Sequence, residues 1–216
     1  MLLQGIWLIL FAGASAVTIF TAGTSRRIRF VSKPLCLPLL AGYYLSAAPE
    51  ADPLVLIALF FGFLGDLFLL RQKRRRMFLA GLGAFLAGHV VYTLYFAGTI
   101  VYYRLVSPWF FLALLFYLTG SAGILRLLKG NPRSIRGPVI GYLCVISLLN
   151  FTVLGRLWSY SGASFWLPLA GTLLFMASDS LIAYRNFHRR LSWISRAISL
   201  TYLLAQFFLI RGILLS

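Results

Sequence analysis

Long apolar runs, separated by short polar segments, recur along the whole chain. Each run has roughly the 20 residues that a helix needs to cross the hydrocarbon core of a bilayer. The runs predict about eight membrane-spanning helices, near residues 3–22, 33–48, 54–71, 77–98, 107–128, 138–156, 164–185 and 194–214. The second span is the shortest, and it begins at Lys33-Pro34, where proline suits the first turn of a helix. The pattern predicts an all-α, polytopic membrane helix bundle.

Composition indicates the same class of protein. Hydrophobic residues make up 61% of the chain and charged residues 11%, with a mean hydropathy of +0.90. Soluble proteins carry about 25% charged residues. No polar stretch is long enough for a separate folded domain, so residues 1–216 are expected to form a single integral membrane domain. The first apolar run is preceded by no basic residue, and we expect it to span the membrane rather than to be cleaved as a signal peptide.

The basic residues predict how the bundle is oriented. Most of them lie in four clusters, at 26–33, 71–76, 126–136 and 185–196, which fall in alternate loops. Because cytoplasmic loops are the ones enriched in lysine and arginine, both termini are expected outside the cytoplasm. Only Arg104, Arg156 and Arg211 fall on the other side. The expected location is the plasma membrane of a bacterium.

The net charge of +16 follows from this topology. The clusters at helix ends set the orientation and attract anionic headgroups, so membrane lipids are expected partners. Nucleic acid is not expected, because no soluble domain or aromatic platform is present to bind it. A secondary possibility is that the cluster at 71–76 receives the phosphate of a substrate headgroup.

Two of the four acidic residues lie inside predicted membrane helices. Placing an aspartate there costs about 2.5–3.5 kcal/mol on insertion scales, so Asp66 and Asp179 should face the bundle interior. Asp66 lies five residues before Arg71, and Asp179 lies six before Arg185. At 1.5 Å rise per residue, both carboxylates are roughly 7–9 Å from the cytoplasmic ends of two helices that run in the same direction. The sequence therefore places them at one level.

Other polar residues are expected near that level. Tyr142 and Tyr202 fall at about the same depth, and His89 lies deeper, on a helix face shared with Tyr92. Gln206 continues the face of Tyr202 toward the membrane centre. We expect a polar pocket that opens toward the cytoplasmic leaflet. The alternative is structural, with the aspartates and His89 acting as hydrogen-bond partners between helices.

A weak internal repeat accompanies the aspartates. The segments 61–66 and 174–179 are similar and occupy the third and seventh predicted spans. Lys33-Pro34 and Gly137-Pro138 open the second and sixth spans. These pairs suggest a parallel four-plus-four repeat in which each half contributes one aspartate.

Two carboxyl groups suggest acid–base chemistry. In a poorly hydrated pocket both cannot ionise cheaply, so one keeps its proton while the other stays a carboxylate. This pairing suits hydrolysis through a cationic intermediate, and no G-x-S-x-G nucleophile motif competes with it. Asp66, Asp179 and His89 could bind a metal, but zinc is disfavoured without an H-E-x-x-H motif or a second inner histidine. No cofactor is expected.

Several short motifs resemble those of the YhhN family of lysoplasmalogenases. They are Gly65-Asp66, the segment 88–92, the segment from Gly171 to Ser178-Asp179, and the segment from Tyr202 to Gln206. Lys33-Pro34, and Pro138 with Tyr142, look like further family positions. The resemblance extends over nearly the whole chain in the same order.

The resemblance implies an eight-helix membrane hydrolase that cleaves the vinyl-ether bond of lysoplasmalogens. The products would be a fatty aldehyde and a glycerophospho-base. Asp66 and Asp179 would divide the acid and base roles, with His89 or Tyr202 orienting water. The supporting or substrate-binding residues would be Lys33, Tyr92, Tyr142, Ser178, Tyr202 and Gln206. The lysolipid would enter from the cytoplasmic leaflet.

Two other classes of function share some of these features. Transporters and proton-coupled channels also carry intramembrane acids and internal repeats. A membrane hydrolase acting on ester or amide lipids is the other alternative, although related ceramidase-like proteins hold zinc with several histidines. The sequence leaves the oligomeric state and headgroup preference open.

Overall fold

The structure, a computed structural model, describes residues 2–71, 74–100, 115, 119, 133–187 and 193–216. Within these residues the regular structure is helical and no strand occurs. The helices are α1 (Leu2–Thr21), α2 (Arg26–Ala47), α3 (Pro53–Leu69), α4 (Arg75–Ala97), α5 (Arg133–Gly155), α6 (Ala163–Phe187) and α7 (Ile194–Ile213). A short 3-10 helix, Arg156–Trp158, follows α5. The predicted span at 107–128 lies almost wholly outside the described residues, so the count of eight helices stays a prediction.

The described helices form a bundle suited to a membrane. Five of them, α1, α4, α5, α6 and α7, contain stretches long and apolar enough to cross a bilayer, and α3 is a shorter apolar helix. Large apolar side chains such as Ile9 and Phe20 are exposed on the outside, 72% and 74% respectively. Charged and polar side chains such as Asp66 and Gln206 are buried inside. This arrangement, apolar outside and polar inside, is that of an integral membrane protein.

The predicted start of the second helix at Lys33-Pro34 is wrong. Helix α2 begins at Arg26, and Pro34 and Pro38 both lie in its interior. The basic residues around Arg29 resemble a loop in hydropathy, yet they form the first turns of the helix at the bundle end. Lys33 is buried, 5% exposed, rather than part of a cytoplasmic loop. Interior prolines remove helix hydrogen bonds, but packed neighbouring helices make such breaks tolerable in membrane proteins.

Consecutive helices are neighbours around a ring. Each described helix packs against the next along the chain, and α7 packs against α1, which closes the ring. Helix α2 also contacts α7 across the interior. The C-terminal ends of α3 and α6 approach the same end of the ring, where Leu69 and Arg185 line one cavity. The two helices that carry Asp66 and Asp179 therefore point the same way, as the basic clusters predict.

The internal repeat stays a prediction. Each aspartate is contacted by the helix that precedes its own, since α2 supplies Lys33 to Asp66 and α5 supplies Tyr142 to Asp179. The two partners differ in chemistry. The first helix of the second half falls in the predicted span at 107–128, which lies almost wholly outside the described residues.

Glycines allow some helices to approach closely. A Cβ atom on Gly171 of α6 would lie 3.0 Å from the carbonyl oxygen of Ala205 in α7. In the same interface, a Cβ on Gly212 would overlap the ring of Pro168. Small residues at such crossings allow backbone-to-backbone packing in membrane bundles. The contact between α6 and α7 holds Asp179 and Tyr202 in the same part of the interior.

We expect Gly171→Ala to destabilise the protein by about 1–3 kcal/mol, because the added methyl meets backbone that cannot move aside. Gly83→Ala in α4 is the matched control, since a Cβ there meets nothing within 4 Å. It should be neutral or stabilising by up to about 1 kcal/mol through helix propensity. Thermal unfolding of the purified protein in detergent measures both. Equal unfolding midpoints for the two variants would show that the α6–α7 contact is not close.

Candidate active site inside the helix ring

A buried ion pair joins α2 to α3. The Nζ atom of Lys33 lies 2.7 Å from a carboxylate oxygen of Asp66, and the two side chains are 7% and 0% exposed. Removing two charges from water is costly, and only close, well-made pairing offsets that cost. Each charge therefore depends on the other for its place in the interior. Arg29, one turn before Lys33, donates a hydrogen bond to the Ser199 hydroxyl of α7 at 3.2 Å.

Tyr202 of α7 lies beside this ion pair. The Nζ atom of Lys33 is 5.6 Å from the centre of the Tyr202 ring, a cation–π arrangement. The Tyr202 hydroxyl is next to the Asp66 carboxylate, but the two do not meet in hydrogen-bond geometry. The Tyr202 hydroxyl and Oδ2 of Asp66 are thus buried polar atoms with unused hydrogen-bonding capacity. Such atoms are able to bind a substrate or a reacting water.

Asp179 belongs to a second polar group. The Tyr142 hydroxyl donates a hydrogen bond to Oδ2 of Asp179 at 2.8 Å. The same hydroxyl oxygen is 3.4 Å from Nδ1 of His89. The structure thereby connects three helices, α4, α5 and α6. The sequence places Tyr142 and Asp179 at one depth and His89 deeper, and the structure brings all three into one polar group.

The hydrogen bonds of His89 fix its tautomer. Nδ1 lies 2.7 Å from the carbonyl oxygen of Phe85, and a carbonyl can only accept, so Nδ1 carries the hydrogen. In the neutral ring, Nε2 then has a free lone pair, and this atom is buried with no hydrogen-bond partner. His89 can therefore accept a proton or a hydrogen bond through Nε2.

The two groups surround one small cavity, which we call the catalytic cavity after the role proposed for it below. Its polar lining is Lys33, Asp66, His89, Ser178, Asp179, Ser199 and Tyr202. Its volume is about 10 Å³, close to the space that one water molecule needs. Asp66 and Asp179 line the same cavity, and no hydrogen bond joins them directly. Both carboxyl groups therefore border the same small space.

Ser178, Tyr92 and Gln206 support this cavity. The Ser178 hydroxyl donates to the Ile198 carbonyl at 3.3 Å, which links α6 to α7. The Tyr92 hydroxyl donates to the Gln206 side-chain oxygen at 3.0 Å, one layer deeper. Tyr92 and Gln206 line a second cavity of about 10 Å³ together with His89. His89 thus stands between two small cavities.

Some site residues were not singled out by sequence reasoning. Phe85 and Phe175 form aromatic walls, with ring centres 5.5 Å from Tyr202 and 4.9 Å from His89 respectively. Both also line the catalytic cavity. Arg29 could have been found from its position one turn before Lys33, which places both on one helix face. The aromatic walls give no such signal, because phenylalanine is common throughout this chain.

Two larger cavities adjoin the site. A polar one of about 270 Å³ lies where the basic ends of the helices meet, and its lining includes Arg29, Lys33 and Arg185. An apolar one of about 40 Å³ lies between α4, α5 and α6 and reaches Asp179 and Tyr142. The site thus adjoins a cationic space and an apolar space.

In the part of the chain that the structure describes, no group of three or more His, Cys, Asp or Glu side chains is arranged to hold a metal ion. Asp66 is engaged by Lys33, and Asp179 by Tyr142. These contacts occupy one oxygen of each carboxyl group.

The sequence profile of the YhhN family matches residues 28–213. The match includes every residue of the catalytic cavity, from Lys33 on α2 to Tyr202 on α7. The curated proteins and the solved structures give no match to this chain. The resemblance noted in the short sequence motifs is therefore confirmed across most of the chain, which belongs to the YhhN family.

Proposed function

We propose that this protein hydrolyses the vinyl-ether bond of lysoplasmalogens, releasing a fatty aldehyde and a glycerophospho-base. The observation that carries the proposal is the unequal pairing of two aspartates at one cavity. Asp66 is paired with the ammonium group of Lys33, whereas Asp179 is paired with the neutral phenol of Tyr142. Membership of the YhhN family supports the same activity.

The unequal partners assign the two roles. An adjacent ammonium favours the charged form of a buried carboxyl group, so Asp66 serves as the carboxylate. A buried carboxyl group beside a neutral phenol lacks that compensation, and Asp179 serves as the proton donor. Aspartates in different environments can thereby act as acid and base in one site.

The proposed reaction begins with proton transfer from Asp179 to the β-carbon of the vinyl ether. The resulting oxocarbenium ion is stabilised by the Asp66 carboxylate, and water adds to its α-carbon. One water proton passes to Asp66 or to Nε2 of His89, while the other remains on the hemiacetal hydroxyl. Collapse of the hemiacetal forms the aldehyde and breaks the bond to the glycerol oxygen, which takes up the hydroxyl proton. The proton held by the base then returns to Asp179.

The cavities support an amphiphilic substrate. The apolar cavity between α4, α5 and α6 can hold the start of a single hydrocarbon chain next to Asp179. The polar cavity at the basic helix ends leaves room for a headgroup. By the distribution of basic residues, this end would face the cytoplasmic leaflet of a bacterial plasma membrane.

We expect Asp179→Asn to lower kcat for aldehyde release by about 10²–10⁴-fold, because the amide cannot supply the proton. The asparagine oxygen can still accept from Tyr142, so the unfolding midpoint should change little. Release of aldehyde from lysoplasmenylethanolamine by the purified protein measures the effect. Glu50→Gln, at an exposed acid outside the site, is the matched control. Near-wild-type kcat in Asp179→Asn contradicts the assignment, and proton flux in proteoliposomes without aldehyde release would favour a transporter.

The ion pair generates a separate prediction about stability. Lys33→Met and Asp66→Leu should each destabilise the protein by about 3–5 kcal/mol, because each leaves a buried charge unpaired. The double variant should be more stable than either single variant, since it removes both charges. Thermal unfolding in detergent gives the coupling through a double-mutant cycle. Additive effects would show that the two side chains do not interact.

A further inference from the structure

The polar cavity at the basic end of the ring has a distinctive charge. We call it the basic vestibule, and it lies where α1, α3 and α6 end and where α2 and α7 begin. Its polar lining includes Thr21, Thr24, Arg26, Arg29, Lys33 and Arg185. Within the described part of the chain, no acidic side chain lines it. A space of about 270 Å³ with this lining is suited to an anion.

The basic vestibule continues into the catalytic cavity. Lys33, Leu69, Ile182 and Ile198 line both. Lys33 stands at the boundary, where its ammonium group is in contact with Asp66. A molecule held in the vestibule therefore adjoins the catalytic carboxylate.

The contacts of Lys33 and Arg29 leave part of the hydrogen-bonding capacity of the vestibule unused. The Asp66 carboxylate is engaged by Lys33, and Arg29 has a hydrogen bond to the neutral Ser199. Nε of Arg29 is buried with no hydrogen-bond partner. Helix α2 begins at the vestibule, and the Ser25 side chain makes no capping hydrogen bond there. The free N–H groups and positive dipole of that helix end add to the attraction for an anion.

We propose that the basic vestibule is the subsite for the phosphate of the substrate, and that the enzyme recognises this phosphate rather than the amine base attached to it. The inference rests on the proposed function. Guanidinium groups match phosphate oxygens in geometry and charge. An ammonium headgroup finds no acidic partner in the described lining. In the substrate, only the glycerol backbone lies between the phosphate and the vinyl ether. This short spacing fits the vestibule and the catalytic cavity, which adjoin each other.

This assignment differs from the possibility that the cluster at 71–76 binds the headgroup. None of its described members, Arg71 and 74–76, lines the vestibule. The guanidinium of Arg71 instead lies 5.8 Å from the centre of the Phe30 ring. The phosphate site is thus built mainly from the start of α2.

Binding of a lipid that cannot be hydrolysed tests the subsite directly. The probes are 1-O-alkyl-glycero-3-phosphoethanolamine, a saturated ether, and 1-O-alkylglycerol, which lacks the phosphate. We expect wild-type protein to bind the phosphate lipid about tenfold or more tightly than the phosphate-free lipid. The ratio of the two affinities should fall about tenfold in Arg29→Gln. Arg26→Gln, at an exposed lining position, should also lower the affinity ratio, without disturbing the interior. Arg27→Gln is the control, because Arg27 is exposed and absent from the lining.

Two results would overturn the subsite. One is equal affinity of wild-type protein for the two lipids. The other is an equal loss of the ratio in Arg26→Gln, Arg29→Gln and Arg27→Gln, which would indicate general attraction to the basic surface. Competition separates the sources of phosphate. Displacement of the lipid by glycerophosphoethanolamine and glycerophosphocholine at similar concentrations, and by inorganic phosphate only at higher concentrations, supports a subsite for the phosphate of a headgroup. Displacement by only one of the two glycerophospho-bases, or equal displacement by inorganic phosphate, contradicts it.

An activity assay tests recognition of the phosphate rather than the base. We expect kcat/KM for the ethanolamine and choline forms of the lysoplasmalogen to agree within about threefold, and a phosphate-free alkenylglycerol to be at least about tenfold worse. A preference of more than about tenfold for one base would contradict the inference. Should no alkenyl lipid release aldehyde while the binding ratio and its loss in Arg29→Gln hold, the proposed reaction fails and the phosphate subsite stands.

Discussion

The ion pair between Lys33 and Asp66 is the constraint on which the rest of the site depends. Neither charge is stable alone in a bundle whose surroundings are apolar, so the two must meet, and they do so at 2.7 Å. Meeting requires α2 to carry its basic segment into the interior and to pack beside α3. The same contact puts an ammonium group near the Tyr202 ring and at the boundary between the basic vestibule and the catalytic cavity. Helix position, charge balance and site access thus follow from one interaction.

The pairing also separates the two aspartates chemically without bringing them into contact. Proximity alone would leave it undecided which carboxyl group keeps a proton. Here the Lys33 ammonium group of α2 lies against Asp66 and the Tyr142 phenol of α5 lies against Asp179. The two carboxyl groups therefore differ in charge environment because the helices beside them carry different side chains. His89 adds a neutral acceptor, because its Nδ1 hydrogen is held by the Phe85 carbonyl. The cavity therefore offers distinct groups for the proton donation, charge stabilisation and water orientation that the proposed reaction requires.

Much of this arrangement was predictable from sequence, because helix depth depends only on rise per residue and on where the basic clusters lie. That reasoning grouped Asp66, Asp179, Tyr142 and Tyr202 correctly at one cavity or its immediate edge. The same reasoning failed at the start of α2. Hydropathy sums the values of single side chains and takes no account of pairing, so it treats Lys33 as a loop residue. Whether a lysine is solvated or paired depends on the helix opposite, which a single sequence does not specify. The tautomer of His89 likewise depends on a backbone carbonyl.

The position of the catalytic cavity between a cationic and an apolar space fits the proposed substrate, which is cleaved where its headgroup joins its chain. Ester lysolipids and vinyl ethers both have their scissile bond at that junction, so position alone does not separate them. The serine hydroxyls of the cavity bear on one route, ester cleavage by a serine nucleophile. Ser178 donates to the Ile198 carbonyl, and Ser199 donates to the Ser195 carbonyl while accepting from Arg29, so neither is poised as a nucleophile beside a base. A vinyl ether needs a proton on carbon and a nearby anion instead, and these are the roles proposed for Asp179 and Asp66.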